Sequence, residues 1–355
     1  MSRRYPYWGL SLALCAALLP ACTSSSSPAA ETPEPTHTPE PKAATLIANS
    51  PVPPLPTATL PLPTPKPSPP AREFAIVGYL PDYRTLDPEW ERYVTDVVYF
   101  SASLRASGEL DTGRLDAQTL ATLHEMSATY GTRVFIAIGG WERSENFATV
   151  ATDPDLRAQA VQGITAYCLA NGLDGVDFDW EFPESAAERA GYVALLAEVH
   201  QTFALHHLRV SVALAPWQDL GDDLYAAVDR IHVMAYDHEG RHSTFEQATE
   251  DIQAFVERGA PPEKLLLGVP FYGRDVHDFS TALTYAEIVQ RHHPAPEVDE
   301  AGGMYFNGIT TIQRKTRYAL EQQLGGVMIW ELGQDTADET SLLRAIDHVA
   351  THDEF

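Results

Sequence analysis

Residues 174–181 alternate acidic and large apolar side chains, and this alternation constrains the fold more than any other feature of the chain. The segment reads DGVDFDWE. Because successive side chains of a β-strand point to opposite faces, Asp177, Asp179 and Glu181 would form one row and three apolar side chains the other. An exposed edge strand would solvate the acids. If the row is buried instead, burial and the neighbouring like charges raise the pKa values of the carboxylates. Raised pKa values are typical of acids that transfer protons in enzymes.

Helical segments flank this predicted strand. Asp155 to Asn171 precedes it with apolar residues at helical spacing, and Gly172 follows as a helix stop. A second helical segment, Ala186 to His206, comes after Pro183. Alternating helices and strands are typical of parallel α/β proteins, in which the chemistry lies at the carboxyl ends of the strands. Glu181, the last acid of the row, is therefore predicted to lie at such an end.

Eight strand segments can be identified in order, and helical segments separate most of them. Most are continuous apolar runs, as expected for strands covered on both faces. They are Phe74–Tyr79, Asp96–Ala102, Arg133–Ile138, Leu173–Trp180, Arg209–Ala215, Arg230–Tyr236, Leu265–Phe271 and Val327–Trp330. Further helical patterns cover Asp116–Ala128, Ser243–Arg258 and Thr311–Leu324. Eight repeats predict an α/β protein with a closed (β/α)8 TIM barrel. An open doubly wound sheet is the alternative, although no glycine-rich phosphate loop follows any strand.

The first 72 residues have a composition that cannot form a packed core. Residues 1–21 combine three early polar residues, two of them basic, with a short apolar run, which predicts an export signal. Its end, Leu19-Pro20-Ala21-Cys22, resembles a bacterial lipoprotein box and implies lipidation of Cys22. Residues 22–72 are predicted to be an extended linker, since fourteen of the 27 prolines lie between Glu31 and Pro70. We therefore expect an exported lipoprotein tethered to a membrane. An ordinary cleaved signal and a secreted protein are the alternative.

Residues 73–355 are predicted to form one catalytic domain with a strongly acidic surface. They contain 46 acidic and 19 basic side chains, a formal charge of −27, which argues against binding to nucleic acid. Cys168 is the one cysteine of this segment, so an intramolecular disulfide is excluded there. Because Cys and His residues do not occur at metal-ligand spacing, we predict neither a metal nor a cofactor. We expect a monomer.

Polar and aromatic residues occupy the ends of the predicted strands. In a barrel these ends surround one mouth, and tyrosine and tryptophan there suit the apolar faces of sugar rings. The candidates are Tyr79, Trp141, Trp217, Tyr236, Asp237, Arg274 and Trp330.

Together these segments resemble glycoside hydrolase family 18, the chitinases and their relatives, across residues 74–340. The acidic segment fits the family pattern D-G-x-D-x-D-x-E at every fixed position. Supporting segments are Ile138–Gly140, Met234–Asp237 and Gly326–Glu331. Ala137 stands where a serine is frequent in the family.

The resemblance implies a retaining enzyme that cleaves β-1,4 bonds next to N-acetylglucosamine by substrate-assisted catalysis. Glu181 would be the general acid. Asp179 would turn toward Glu181 and the acetamido N–H, and Asp177 would share a proton with Asp179. Tyr236 would donate a hydrogen bond to the acetamido carbonyl. The predicted substrate contacts are Tyr79, Trp141, Trp217, Asp237, Arg274 and Trp330.

The segment between the seventh and eighth strands bears on the shape of the cleft. About fifty residues separate Arg274 from Gly325, too few for the α+β domain that many large chitinases insert there. We therefore predict an open cleft and endo-acting cleavage of chitin or chito-oligosaccharides. Three alternatives stay open: an endo-β-N-acetylglucosaminidase acting on glycoprotein or cell-wall glycans, a non-catalytic N-acetylglucosamine-binding lectin, and a metal-dependent phosphohydrolase. The terminal acid Glu181 argues against a lectin.

Overall fold

Eight parallel strands close into a barrel in the computed structural model, which describes residues 74–352. Each strand pairs with the next along the chain, and the eighth pairs in parallel with the first. The strands are β1 (Ala75–Pro81), β2 (Asp96–Leu104), β3 (Arg133–Gly139), β4 (Gly175–Asp179), β5 (Arg209–Leu214), β6 (Arg230–Val233), β7 (Leu265–Pro270) and β8 (Gly326–Trp330). The predicted TIM barrel is confirmed, and the open sheet is wrong because the β1–β8 pairing closes the ring.

Helices cover the outside of the barrel. They are α1 (Ala117–Tyr130), α2 (Phe147–Thr152), α3 (Pro154–Ala170), α4 (Ala186–Ala204), α5 (Asp223–Ala227), α6 (Phe245–Glu257), α7 (Tyr285–His292), α8 (Ile309–Glu321) and α9 (Leu342–His352). Side-chain caps fix where several of them begin. Ser185 and Glu188, for example, form a reciprocal capping box at the start of α4. The five helices predicted from sequence are present, and their ends differ by three residues at most.

The apolar core has two parts, one on each side of the barrel wall. One layer fills the barrel and includes Val77, Phe135 and Met328. The larger layer lies between strands and helices and includes Val176 and Phe178. The apolar side chains of β4 thus pack outward against helices, as the period-two alternation predicts, and its acids are left facing the inside of the barrel.

The sixth strand is shorter than predicted. It ends at Val233 rather than Tyr236, because the chain turns locally. The backbone N–H of Ala235 donates to the carbonyl of Val233 at 2.8 Å, and the N–H of Tyr236 donates to that of Met234 at 2.8 Å. These amides are therefore lost to the neighbouring strand. The turn ends at Asp237, whose φ of 63° is left-handed.

The connection between β7 and α8 contains a small antiparallel sheet that the sequence did not predict. Its strands are Ala282–Thr284, Tyr272–Asp275, Met304–Tyr305 and Glu300–Ala301, in that order across the sheet. Helix α7 lies within the same connection. The segment remains short, in agreement with a single catalytic domain without a large insertion.

Several predictions concern residues outside the part that the structure describes. The signal segment 1–21, the lipidation site Cys22 and the linker 22–72 belong to this group, and they stay predictions. Across residues 74–352, the helices are all too short or too polar to span a bilayer.

Candidate active site

Asp177 and Asp179 point into the barrel from β4, and Glu181 follows two residues after the strand ends. Both aspartates are buried, whereas Glu181 is partly exposed. The alternation of the strand places all three on one row, so the row rises from the barrel interior toward the mouth. Such a row can combine two acids shielded from water with one acid that a ligand reaches.

Asp177 is held by hydroxyl groups from two other strands. Tyr79 of β1 donates from Oη to Oδ2 at 2.6 Å, and Ser211 of β5 donates from Oγ to Oδ1 at 2.6 Å. Ser211 is directly opposite Asp177 in the β4–β5 register. Ala137 is opposite Asp177 on the other side, in β3. The hydroxyl on this side of the row therefore comes from the fifth strand, since Ala137 has none to offer.

Asp179 is the acid whose surroundings most favour a proton. Burial raises its pKa well above its usual range, and the nearby charges of Glu181 and Asp177 raise it further. Its Oδ1 is buried and, within residues 74–352, has no hydrogen-bond partner. Asp179, whose Oδ1 has no donor, therefore lies beside Asp177, whose carboxylate accepts two hydrogen bonds.

Glu181 has the properties of a general acid near neutral pH. Burial and the charge of Asp237 raise its pKa to about 7, although a backbone hydrogen bond from Trp141 lowers it in part. Its own backbone N–H donates to Ser144 Oγ at 3.2 Å. A carboxylic acid with such a pKa can hold a proton at neutral pH and still give it up readily.

Gly139 and Gly140 allow β3 to approach the acid row closely. Their φ angles are 103° and 105°, which L side chains rarely adopt. A Cβ on Gly139 would lie 2.3 Å from the carbonyl oxygen of Asp179, and one on Gly140 would overlap the ring of Phe100. The N–H of Gly140 donates to that same Asp179 carbonyl at 2.6 Å. The glycine pair therefore positions the backbone of Asp179.

Tyr236 and Asp237 lie beside the acid row on the β6–α6 connection. Burial raises the pKa of Tyr236, so its hydroxyl keeps its proton and can donate. That hydroxyl contacts Met328 Sδ at 3.9 Å, a weak acceptor. Arg274 holds Asp237 through one guanidinium edge, with Nε and Nη2 donating at 2.6 and 2.7 Å, and Tyr272 Oη donates to Asp237 at 2.6 Å. Burial raises the pKa of Asp237, but the contact with His242 Nδ1 at 3.5 Å and the bonds from Arg274 and Tyr272 outweigh burial and lower the pKa overall.

The structure corrects the role predicted for Tyr79. Its side chain is 1% exposed and its hydroxyl contacts Asp177, so Tyr79 supports the acid row and is closed to a ligand. Trp330, by contrast, is partly exposed at the end of β8. Its ring packs edge-on against Tyr79 and Phe100, with centroids 5.6 and 4.9 Å apart. Trp330 can therefore form a floor above Tyr79.

Two tryptophans lie on the rim. Trp141, on the loop after β3, is 64% exposed, and Trp217, after β5, is 49% exposed. The ring of Phe182 packs against that of Trp217 at a centroid distance of 4.7 Å. These exposed rings are available to an extended ligand. Within residues 74–352, no cluster of three or more His, Cys, Asp or Glu side chains has a geometry suited to a metal ion.

Sequence reasoning missed the groups beneath the acids. Ser211 and His232 both contact Asp177, and Ser144 contacts the backbone of Glu181. A signal was present for two of them. Apart from the arginine that begins each strand, Ser211 and His232 are the polar residues of β5 and β6, and buried polar residues need a partner.

An acid row at the carboxyl end of a parallel barrel lies where barrel enzymes have their active sites, so the fold and the site together define a barrel enzyme. Comparison with known families makes the assignment specific. The model of glycosyl hydrolases family 18 matches residues 75–335, and the chain belongs to this family.

Known relatives are chitinase-like. Chitinase 1 of Aphanocladium album is 31% identical over 269 residues, which is 59% of this chain and 64% of that protein. The chain spans a similar share, 56%, of a probable chitinase of Drosophila melanogaster. Among solved structures, a family 18 chitinase from the chitin utilization locus of Flavobacterium johnsoniae is 29% identical, with a TM-score of 0.69. That match covers 79% of this chain and 95% of the other.

One further solved structure contains a sugar. A mutant family 18 chitinase of Cycas revoluta, in complex with (GlcNAc)4, shares the fold with a TM-score of 0.66 at 24% identity. The match covers 77% of this chain and 98% of that one.

Proposed function

We propose that this protein is a retaining glycoside hydrolase that cleaves β-1,4-linked N-acetylglucosamine, in chitin or chito-oligosaccharides, with Glu181 as general acid. One observation carries the proposal. Glu181 has a pKa of about 7, lies at the mouth of the barrel, and is in line with two buried aspartates. The chitinase relatives and the (GlcNAc)4 complex support the same class of substrate.

In the proposed first step, the Glu181 carboxylic acid gives its proton to the glycosidic oxygen. The acetamido carbonyl oxygen of the substrate attacks the anomeric carbon, and the bond from that carbon to the protonated oxygen breaks. The departing chain leaves as an alcohol. Asp179 accepts the acetamido N–H, and Tyr236 Oη donates to the carbonyl oxygen before its attack. The substrate supplies the nucleophile, so one proton donor suffices.

In the second step, water attacks the anomeric carbon and its proton passes to the Glu181 carboxylate. The bond from the anomeric carbon to the acetamido oxygen breaks, and the acetamide is restored. Two displacements at one carbon leave the product with the β configuration of the substrate. The exposed rings of Trp141 and Trp217 extend the cleft beyond the reacting sugar, which favours binding in the middle of a chain and hence endo cleavage.

Glu181→Gln tests the acid. The purified full chain and this variant are incubated with chito-oligosaccharides, and products are identified by mass and by anomeric configuration. We expect the variant to lose about 10²–10⁴-fold in turnover, because positioned acid catalysis contributes that much, while it still binds the sugar. Glu184→Gln is the matched control, since Glu184 is exposed three residues further along the chain.

Each outcome distinguishes between functions. Near-normal turnover in Glu181→Gln would remove Glu181 from its role, and α-configured products would contradict the substrate-assisted route. Binding of the sugar by the parent chain without cleavage would favour a lectin. Cleavage of glycoprotein or cell-wall glycans in place of chito-oligosaccharides would favour an endo-β-N-acetylglucosaminidase.

A further inference from the structure

A buried histidine lies beneath the acid row. His232 comes from β6 and is 1% exposed. Its Nδ1 is 2.8 Å from Tyr79 Oη and 3.1 Å from Asp177 Oδ1. Its Nε2 is buried and has no hydrogen-bond partner within the described part of the chain. The polar contacts of the ring therefore run through Nδ1, toward Asp177.

The hydroxyl donors around Asp177 determine whether Nδ1 of His232 carries a hydrogen. Tyr79 has one hydroxyl proton and donates it to Asp177 Oδ2 at 2.6 Å, a length typical of an O–H donor on a carboxylate. Asp177 Oδ1 already accepts from Ser211 at 2.6 Å. Nδ1 of His232 thus faces two oxygen atoms that offer lone pairs. A bare nitrogen would be repelled there, so Nδ1 must carry a hydrogen.

We propose that His232 is a positioning residue that donates from Nδ1 to the Tyr79–Asp177 pair, holds Asp177 as an anion, and thereby leaves the proton of the aspartate pair on Asp179. The inference rests on the proposed function of the acid row. It revises the expectation that Asp177 shares a proton with Asp179. Three donors stabilise the charged form of Asp177, whereas Asp179 has a buried oxygen without a donor.

Other charged groups around His232 offset one another. A small cavity beside its ring is lined by Asp96, Asp229, Arg209 and Arg230, two acids and two bases. On the neighbouring strands, β5 presents Ser211, while β7 is free of titratable side chains along its length. Asp177 is thus the acid that lies nearest to Nδ1 of His232 and accepts its hydrogen bond, and Asp179 lies above Asp177 on β4.

Two substitutions of nearly the same shape separate the hydrogen bond from packing. His232→Asn retains an N–H donor at the position of Nδ1, because both atoms are three bonds from Cα. His232→Leu places a methyl group there. We expect the acid limb of kcat/KM for chito-oligosaccharides to move up by about one pH unit in His232→Leu, with kcat at least roughly tenfold lower. In His232→Asn, the limb should return most of the way to its original position.

The direction follows from the donor. Without it, the acid row loses one hydrogen-bond donor to its charged form, the row as a whole takes up a further proton more readily, and the active form is lost earlier on acidification. His206→Leu is the control for the same substitution, since His206 is exposed at the end of α4. Equal acid limbs in the parent chain and both His232 variants, or equal shifts in both variants, would overturn the proposal.

A second measurement is independent of activity. In the full chain with ¹⁵N-labelled histidine, NMR correlations identify which ring nitrogen carries hydrogen, and His232 is assigned among the 13 histidines by its absence in His232→Asn. We expect a protonated Nδ1 between pH 5 and 8, and a bare Nδ1 would refute the proposal even if His232→Leu fails to fold. If the parent chain cleaves no chito-oligosaccharide, the proposed function fails, and a bare or protonated Nδ1 still decides whether His232 donates to Asp177.

Discussion

Gly139→Ala should both destabilise the barrel and slow catalysis. The glycine adopts a φ of 103°, and the added Cβ would lie 2.3 Å from the carbonyl oxygen of Asp179 and 2.8 Å from the ring of Phe147. A residue held in a sparsely populated backbone region costs about 1–3 kcal/mol. The overlap adds about 1–3 kcal/mol, because a backbone carbonyl inside a barrel cannot rotate away.

The expected loss in the free energy of unfolding is therefore about 2–6 kcal/mol. For a domain of this size, that lowers Tm by roughly 5–15 °C. Catalysis should suffer separately. The carbonyl that the Cβ meets belongs to Asp179 itself, and a shift of about 1 Å in a reacting group can cost on the order of 10²-fold in rate. We expect kcat to fall at least tenfold in the fraction that is folded.

Gly259→Ala is the matched control. Gly259 also has a left-handed φ, 91°, but an added Cβ there meets nothing closer than 4.0 Å, and the residue lies between α6 and β7, away from the acid row. Thermal and urea unfolding of both variants, with kcat on chito-oligosaccharides, separates backbone strain from overlap. Equal losses of stability in the two variants, together with unchanged kcat in Gly139→Ala, would refute the reasoning.

Two further predictions concern charge. Burial raises the pKa of Asp96, but Arg230 and Arg133 outweigh it and lower the pKa to about 2, so the folded state gains about 2 kcal/mol that is present above pH 4 and lost as pH falls toward 2. Asp96→Asn should therefore lower the free energy of unfolding at pH 7 by about 3–5 kcal/mol. In urea titrations at pH 2, the difference in stability between the parent chain and the variant should be smaller by about 2 kcal/mol. A difference that is the same at both pH values would contradict this prediction. Asp237→Asn removes a charge that raises the pKa of Glu181. The alkaline limb of the kcat/KM profile should therefore move to lower pH. An alkaline limb at the same pH as in the parent chain would show that burial alone raises the pKa of Glu181.

Local patterns predicted much of the fold. The apolar runs and helical spacings located every barrel strand, and the alternation in β4 predicted which side chains face inward. The small sheet after β7 was not predicted, since strands of two to four residues carry too little pattern to separate them from loops. Nor did the pattern show that Ser211 meets Asp177. That contact depends on the register of β4 against β5, which is set only when the whole barrel closes.

Whether a predicted aromatic contact is buried or exposed depends on the position of the residue relative to the end of its strand. Tyr79 lies within β1, two residues before its end, at a position that faces the barrel interior. Trp141 and Trp217 lie two and three residues beyond their strands and are exposed. An inward side chain inside the ladder is surrounded by the other strands, so its hydroxyl must satisfy a buried group such as Asp177. A side chain beyond the ladder is free of that constraint, and there the barrel can offer it to a ligand.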